Sequence, residues 1–297
     1  MRVSLGEGRP CSVSESPGKF GRALERFFVM MLPAINQQQV RQHFSGHASE
    51  YDLYARVQKR VARRLIELID DDFLTGSVLD VGTGTGEAVR QFRQQAAGGS
   101  VVVSDLAHDM TLTAHRSLPN SRAVDADARD LPFKNGSFDL LLSSSVFQWI
   151  DQLPMVFREC ARILKPGGCI AFAMFCEGTL QELGKVFSEA LDNCNSDWPD
   201  HFQQFPSLDA VESALWQSGL IVDNCHVEIE TDSHASFRSL MRGLKKIGAQ
   251  NASQNRPAGL FPRKVMAEME RLYIEKYKTE QGLPASYGVL YGLARKR

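Results

Sequence analysis

Apolar residues along this chain follow two rhythms in turn. Over residues 39–69 they recur at helical spacing, with Tyr51, Tyr54, Ala55, Val61, Leu65 and Leu68 on one face, as in an amphipathic helix. From residue 78 to 175, short apolar runs alternate with helical stretches. The runs are Val78-Leu79, Val101-Val102-Val103, Leu140-Leu141-Leu142 and residues 169–175, the last preceded by Lys165-Pro166-Gly167-Gly168. Such alternation marks βαβ units and a mostly parallel sheet. Beyond it, residues 179–193 and 208–218 read as helices, Gly219 stopping the second, and residues 221–229 alternate like a strand. Amphipathic stretches at 237–247 and 263–278 precede a last strand at 286–294. Two helices inserted between the sixth and seventh strands would lie over the carboxyl end of the sheet, a lid spanning about residues 233–282.

The first 38 residues do not share this patterning. They are polar and Gly/Pro-rich, with one apolar run at 27–32 that Pro33 stops. A bilayer needs about 20 such residues, and the stretch before the run is too long and polar for a secretory leader. Residues 1–38 are therefore read as a disordered extension, with Met30 or Met31 as an alternative start, and 39–297 as one domain. A hydrophobic content of 43% is ample for its core, and a formal net charge of −1 exerts no global pull on nucleic acid. The six cysteines include no Cys-x-x-Cys pair, so buried thiols in a reducing cytoplasm are expected, without disulfides or a metal.

The chemistry concentrates after the first strand. In Val78-Leu79-Asp80-Val81-Gly82-Thr83-Gly84-Thr85-Gly86-Glu87-Ala88 an apolar run ends in an acid and three glycines come after it at alternate positions. A turn bare of side chains lets a nucleotide-type ligand lie on the backbone at the carboxyl end of a parallel strand. An ordinary Gly-rich turn or a nicotinamide site is compatible with this segment alone. The downstream segments, taken in order, narrow the choice. Asp105 stands just past the second strand, about 20 residues beyond the glycines, where an acid can accept hydrogen bonds from two ribose hydroxyls. Asp127-Ala128-Arg129-Asp130 comes next, then Ser137-Phe138-Asp139, a fourth strand, and Ser143-Ser144-Ser145-Val146-Phe147-Gln148-Trp149. This series resembles the class I S-adenosylmethionine-dependent methyltransferases. The resemblance implies an α/β, Rossmann-like seven-stranded sheet, mostly parallel with the last strand antiparallel, an N-terminal helix and a helical lid.

The flanking segments carry a narrower resemblance. Phe44, Ala48, Tyr51-Asp52, Ala55 and Gln58 stand at intervals similar to the N-terminal segment of the malonyl-[acyl-carrier protein] O-methyltransferases of biotin synthesis. Residues 178–183, the lid stretch Met241-Arg242-Gly243-Leu244-Lys245-Lys246-Ile247-Gly248-Ala249 and the closing Leu283-Pro284-Ala285-Ser286-Tyr287 are similar too. The family often has Asn where Ser144 stands. The resemblance implies methyl transfer from S-adenosyl-L-methionine to the free carboxylate of a malonyl thioester, carried by acyl carrier protein or by CoA, with neither nucleic acid nor membrane involved. It places the cofactor on Asp80, Gly82, Thr83, Gly84, Gly86, Asp105, Leu106, Met110, Asp127, Ala128, Ser143, Ser144 and Gln148, and puts Tyr51 and Arg242 at the reaction centre.

A malonyl carboxylate is already ionised at neutral pH and is itself the nucleophile. No enzyme base is needed, and the chemical step should ignore side-chain titration between about pH 6 and 8. None of the seven histidines is assigned a catalytic role; His43 and His47 read as surface or packing residues. Arg242 could clamp the carboxylate in a fork, although residues 238–246 hold four basic side chains and could equally be a solvated face. Tyr51 would close over the methionine end or the carboxylate, or simply pack. Gln148 and Trp149 are candidates to line the reaction chamber. Lys245, Lys246, Arg256, Arg263, Lys264, Arg295, Lys296 and Arg297 form a candidate basic rim for an acidic carrier protein. Two other functions fit the fold: methylation of a quinone precursor or free dicarboxylic acid, and a non-catalytic assembly factor.

Overall fold

The computed structural model describes residues 36–45, 51–96, 98–200, 202–247 and 261–297. Residues 1–35 of the extension expected over 1–38 lie outside them, whereas residues 37 and 38 already belong to the first helix, so the ordered chain reaches back past the expected boundary. The long helical face expected over 39–69 is three helices: α1 (Gln37–Ser45), α2 (Tyr51–Tyr54) and α3 (Arg56–Glu67). Buried Ala55 separates the last two at ψ 44°, off the helical value.

Seven strands then form one sheet: β1 (Ser77–Val81), β2 (Ser100–Asp105), β3 (Ser121–Asp125), β4 (Phe138–Ser144), β5 (Leu164–Cys176), β6 (Ile221–His234) and β7 (Leu283–Arg295), in spatial order β3-β2-β1-β4-β5-β7-β6. The first four pairings are parallel and β7 runs antiparallel to both neighbours. Helices α4 (Glu87–Gln95), α5 (His108–Ser117), α6 (Leu153–Ile163), α7 (Gln181–Asn193) and α8 (Leu208–Ser218) connect strands, and α9 (Phe237–Lys246) and α10 (Arg263–Tyr277) fill the insertion before β7.

Both sheet faces are buried, which is why the central strands read as continuous apolar runs. Val78, Leu140 and Leu142 point into a core shared with α3 and α4, while Leu79 and Leu141 point into the opposite core with α6 and α8. The last two strands are longer than the expected 221–229 and 286–294. Apolar alternation on β6 fades where Glu228, Glu230 and Asp232 take over, and these acids pair with Arg64, Arg60 and Arg56 of α3 at 2.9, 2.8 and 2.8 Å. Four residues of helix advance about 6 Å and two of strand about 6.6 Å, so the two rows stay in step. The half-exposed pairs contribute little energy each, but they fix the position of α3 against the sheet edge. Strand β5 begins at Leu164, ahead of the expected run: Leu164 pairs with Phe138 of β4, and Gly167 and Gly168 exchange backbone hydrogen bonds with Lys296 at 2.9 Å.

Candidate active site

Three strand ends converge on the turn after β1. Asp80 lies one residue before the end of β1, while Asp105 and Ser144 end β2 and β4, at the edge where open α/β sheets bind ligands. The turn is anchored to β2, since the Gly82 and Thr83 amides both donate to the Ser104 carbonyl at 2.8 Å. Gly84 sits at φ +53, and a Cβ added there would meet nothing within 4 Å; the space above it is open for a ligand. Gly86 has another task. It stands at φ +91 at the start of α4, and a Cβ there would come 2.7 Å from Leu118 Cδ1, so its bareness lets the helix pack.

A cavity of about 120 Å³ opens over this turn. Of the residues expected to hold the cofactor, Asp80, Gly82, Thr83, Gly84, Asp105, Leu106, Met110, Asp127, Ala128 and Ser144 line it. Gly86, Ser143 and Gln148 do not. Buried Ser143 donates to the Val81 carbonyl at 2.9 Å and ties β4 to β1. Gln148 faces a second cavity, and its amide is engaged at both ends: Nε2 donates to the Ser145 carbonyl at 2.7 Å and Oε1 accepts from the Phe175 amide at 3.4 Å. These three support the site rather than line the turn, a distinction that motif spacing does not carry.

Two carboxylates dominate the electrostatics. Burial pushes Asp105 up to about 6, against amide hydrogen bonds from Ala107 and Gly84, each 2.9 Å. Burial also pushes Asp80 up to about 7; the Thr83 hydroxyl at 2.7 Å opposes this and the Asp105 charge adds to it. Asp80 Oδ1 is buried without a partner. Asp127 is partly buried, which alone would raise it, yet the Arg129 guanidinium at 2.6 Å and the Arg129 amide hold it below the usual carboxylate range.

Tyr51 overhangs the turn from α2. Burial raises its phenol above the ordinary range, and the Asp52 and Asp105 charges add to that. Asp52 holds α2 in place: its Oδ1 accepts from the Thr85 hydroxyl at 2.8 Å and its carbonyl accepts from Lys59 Nζ at 2.9 Å. Sequence reasoning missed this tether, although Asp52 stands beside Tyr51 in the N-terminal motif.

The second cavity, about 490 Å³, lies under α9 and α10. Its wall is mostly apolar: Phe175 from β5, Leu183 and Phe187 from α7, Trp198, Phe202 and Phe205 from the segment after α7, and Met241, Leu244, Phe261, Met266 and Met269 from the lid region. The contribution of residues 183–205 was not foreseen, since nothing in a helix and a loop before β6 marks them as a wall. Arg242, the expected clamp, is exposed and absent from the lining; Lys245, one helical turn on, lines the chamber instead. The candidate basic rim also divides. Arg295 pairs with Cys169 at the amino end of β5, opposite the site, and is ion-paired to Asp223 and Asp70 at 2.7 Å. Arg256, His47 and the His43 side chain lie outside the described residues.

Phe44, Tyr51, Gln58, Ser145 and Trp149 line both cavities and so form their common wall. Phe44 meets Trp149 edge-on, with ring centroids 5.9 Å apart. Ser145, which sequence reasoning passed over beside Ser143 and Ser144, has φ 61, and its hydroxyl is buried without a partner. Among the described residues no group of three or more metal-ligating side chains occurs, and no helix is long and apolar enough to cross a membrane. Cys160, Cys169 and Cys176 are buried free thiols.

Comparison with known proteins places this geometry. Residues 79–172 match a methyltransferase domain family. The YcgJ protein of Bacillus subtilis shares the fold, with a TM-score of 0.53 at 17% identity, covering 79% of this chain and 98% of that one. A malonyl-[acyl-carrier protein] O-methyltransferase of Geobacter sulfurreducens is 35% identical over 88% of this chain and all of its own length. One from Halorhodospira halophila is 33% identical over 88% of each chain. A biotin biosynthesis bifunctional protein of Cellvibrio japonicus is 31% identical over 93% of this chain, which spans 53% of that longer protein. The chain belongs to the malonyl-[acyl-carrier protein] O-methyltransferase family.

Proposed function

We propose that the smaller cavity binds S-adenosylmethionine and the larger one receives the malonyl group of an acyl-carrier-protein thioester, or of malonyl-CoA. The methyl group passes through their common wall to the free carboxylate. The observation that carries this reading is that shared wall, which brings a nucleotide-type site and a mostly apolar, acyl-sized chamber together. The donor fits the turn: Gly84 leaves open space over the backbone, and the unpartnered Asp80 Oδ1 wants a donor or a positive charge. When bound, the donor supplies a methyl group activated by a sulfonium.

The chain's own residues bind and orient. Each Asp105 oxygen has a lone pair left after the Gly84 and Ala107 amides, enough to accept the two ribose hydroxyls. Asp127 and the adjoining Ala128 backbone face the adenine end with whatever acceptor capacity Arg129 leaves. Tyr51, Phe44 and Trp149 exclude water from the junction, and Lys245 offers the acceptor a positive charge at the chamber wall. The malonyl oxygen forms its bond to the methyl carbon as the carbon–sulfur bond breaks with its electron pair to sulfur. No proton moves, so no general base is required. Rate enhancement comes from holding the partners in line in a dry site, where effective molarities of roughly 10⁵ M or more are attainable. Esterification removes a charge that enzymes built for apolar chains would bury at high cost.

Transfer of tritiated methyl to malonyl-acyl-carrier protein, malonyl-CoA and free malonate tests the reading. Base-labile label on the thioester substrates is expected. Label on free malonate alone would point to a small-molecule enzyme, and donor binding without label on any acceptor would point to an assembly factor.

A further inference from the structure

Ser145 comes directly after β4 and stands in the wall common to both cavities. Its φ of 61 lies in the left-handed region, which a serine enters only when its surroundings insist. They do so from two sides. The Ser145 amide donates to the Ala173 carbonyl on β5 at 2.7 Å, and its carbonyl accepts from Gln148 Nε2 at 2.7 Å. Gln148 is itself held by the Phe175 amide at 3.4 Å. With the backbone satisfied on both sides, the side chain is left over: the hydroxyl is buried and has no hydrogen-bond partner. A strained backbone and an unsatisfied hydroxyl are each unfavourable. Both occur at one residue, at the point where the methyl group must cross.

We infer that Ser145 is a specificity-determining residue for the acceptor. A turn about its Cα–Cβ bond brings the hydroxyl to the junction, where it donates a hydrogen bond to the carboxylate oxygen that does not attack. That bond holds the carboxylate at the junction and selects an anionic acyl end over a neutral one. The hydroxyl keeps its proton throughout. Gln148 acts through Ser145 as a positioning residue. The hydrogen bond weakens as the carboxylate loses its charge to the ester, so its effect falls on acceptor binding more than on the chemical step. The inference rests on the function proposed for the two cavities.

The test is Ser145→Ala and Ser145→Gly, assayed with malonyl-acyl-carrier protein and with donor binding measured separately. Losing a hydrogen bond to a charged group raises KM roughly 10- to 100-fold, while kcat stays within about threefold and donor affinity within about twofold. Ser145→Gly relieves the backbone and melts no lower than the wild type, yet shows the same rise in KM. An unchanged KM in either variant overturns the inference, as does a parallel loss of donor affinity. A wild-type chain that binds donor but leaves malonyl-acyl-carrier protein unmodified overturns the functional reading first, and the inference with it.

Discussion

Donor affinity should rise steeply between pH 6 and 8 even though the chemical step needs no enzyme base. Asp105 and Asp80 are raised to about 6 and about 7 by burial, and under the proposed function both would face a donor that is a cation and a source of hydroxyl donors. If the donor prefers both carboxylates ionised, its affinity tracks the fraction of protein in that state. At pH 6 that fraction is about one half for Asp105 and about one in eleven for Asp80. At pH 8 both are nearly fully ionised, so affinity increases about 20-fold, or about 1.8 kcal/mol. The two groups repel each other, which spreads the change over a wider pH range without removing it. Calorimetry of S-adenosylmethionine binding in buffers of different ionisation enthalpy measures both the affinity and the protons released, expected at one to two per donor near pH 6. Asp105→Asn should lower affinity at pH 8, because an amide offers one acceptor where Gly84 and Ala107 need two, and should flatten the lower part of the profile. A dissociation constant that stays within twofold from pH 6 to 8 would refute the reasoning. Rates at saturating donor should stay flat over the same range, as the acceptor carboxylate is already ionised.

The same two groups set a stability trend in the ligand-free protein. Their folded values lie above the unfolded ones, so the stability they contribute is full below about pH 4 and is lost as pH rises through 6 and 7, on the order of 3–4 kcal/mol each at most. Thermal melts should therefore fall between pH 5 and 8 without donor, and a flat or rising curve would count against the burial assigned to these carboxylates. Gly84→Ala should cost only about 1 kcal/mol of stability yet abolish tight donor binding by filling the open space over the turn. Gly86→Ala should instead cost about 1–3 kcal/mol by driving a methyl into Leu118, with affinity little changed in the variant that still folds; denaturant melts and calorimetry together separate the two. Lys245→Ala should raise KM for malonyl-acyl-carrier protein roughly two- to fivefold, a modest figure because the side chain is solvent-screened, while Arg242→Ala stays within about twofold. The reverse order in a steady-state assay would restore Arg242 to the chamber.

How much of the molecule is legible in its sequence depends on how local each feature is. The turn after β1 is written in adjacent residues, since its shape depends on glycines within a few positions of Asp80, and Asp105 is one crossover away. The central strands are legible for the same reason: burial on both faces turns a strand into an unbroken apolar run. The chamber has no such local signature. Its wall is drawn from α1 and α2, the turn after β4, the end of β5, α7, the segment after it and the lid; Tyr51, Gln148 and Trp149 stand in motifs that point to it, but the residues of α7 and the segment after it read as ordinary core. Ser143, Ser144 and Ser145 look interchangeable in sequence, yet one braces β1, one faces the smaller cavity and one stands in the left-handed turn between the cavities. The lid helix shows how fine the missing information is. Phe237, Leu240 and Leu244 fix its buried face, and a rotation of three residues, about 60° on a helical wheel, separates Arg242 in solvent from Lys245 at the chamber. A periodic pattern identifies the face of such a helix, but only the elements packed against it decide which of two neighbouring cations meets the substrate.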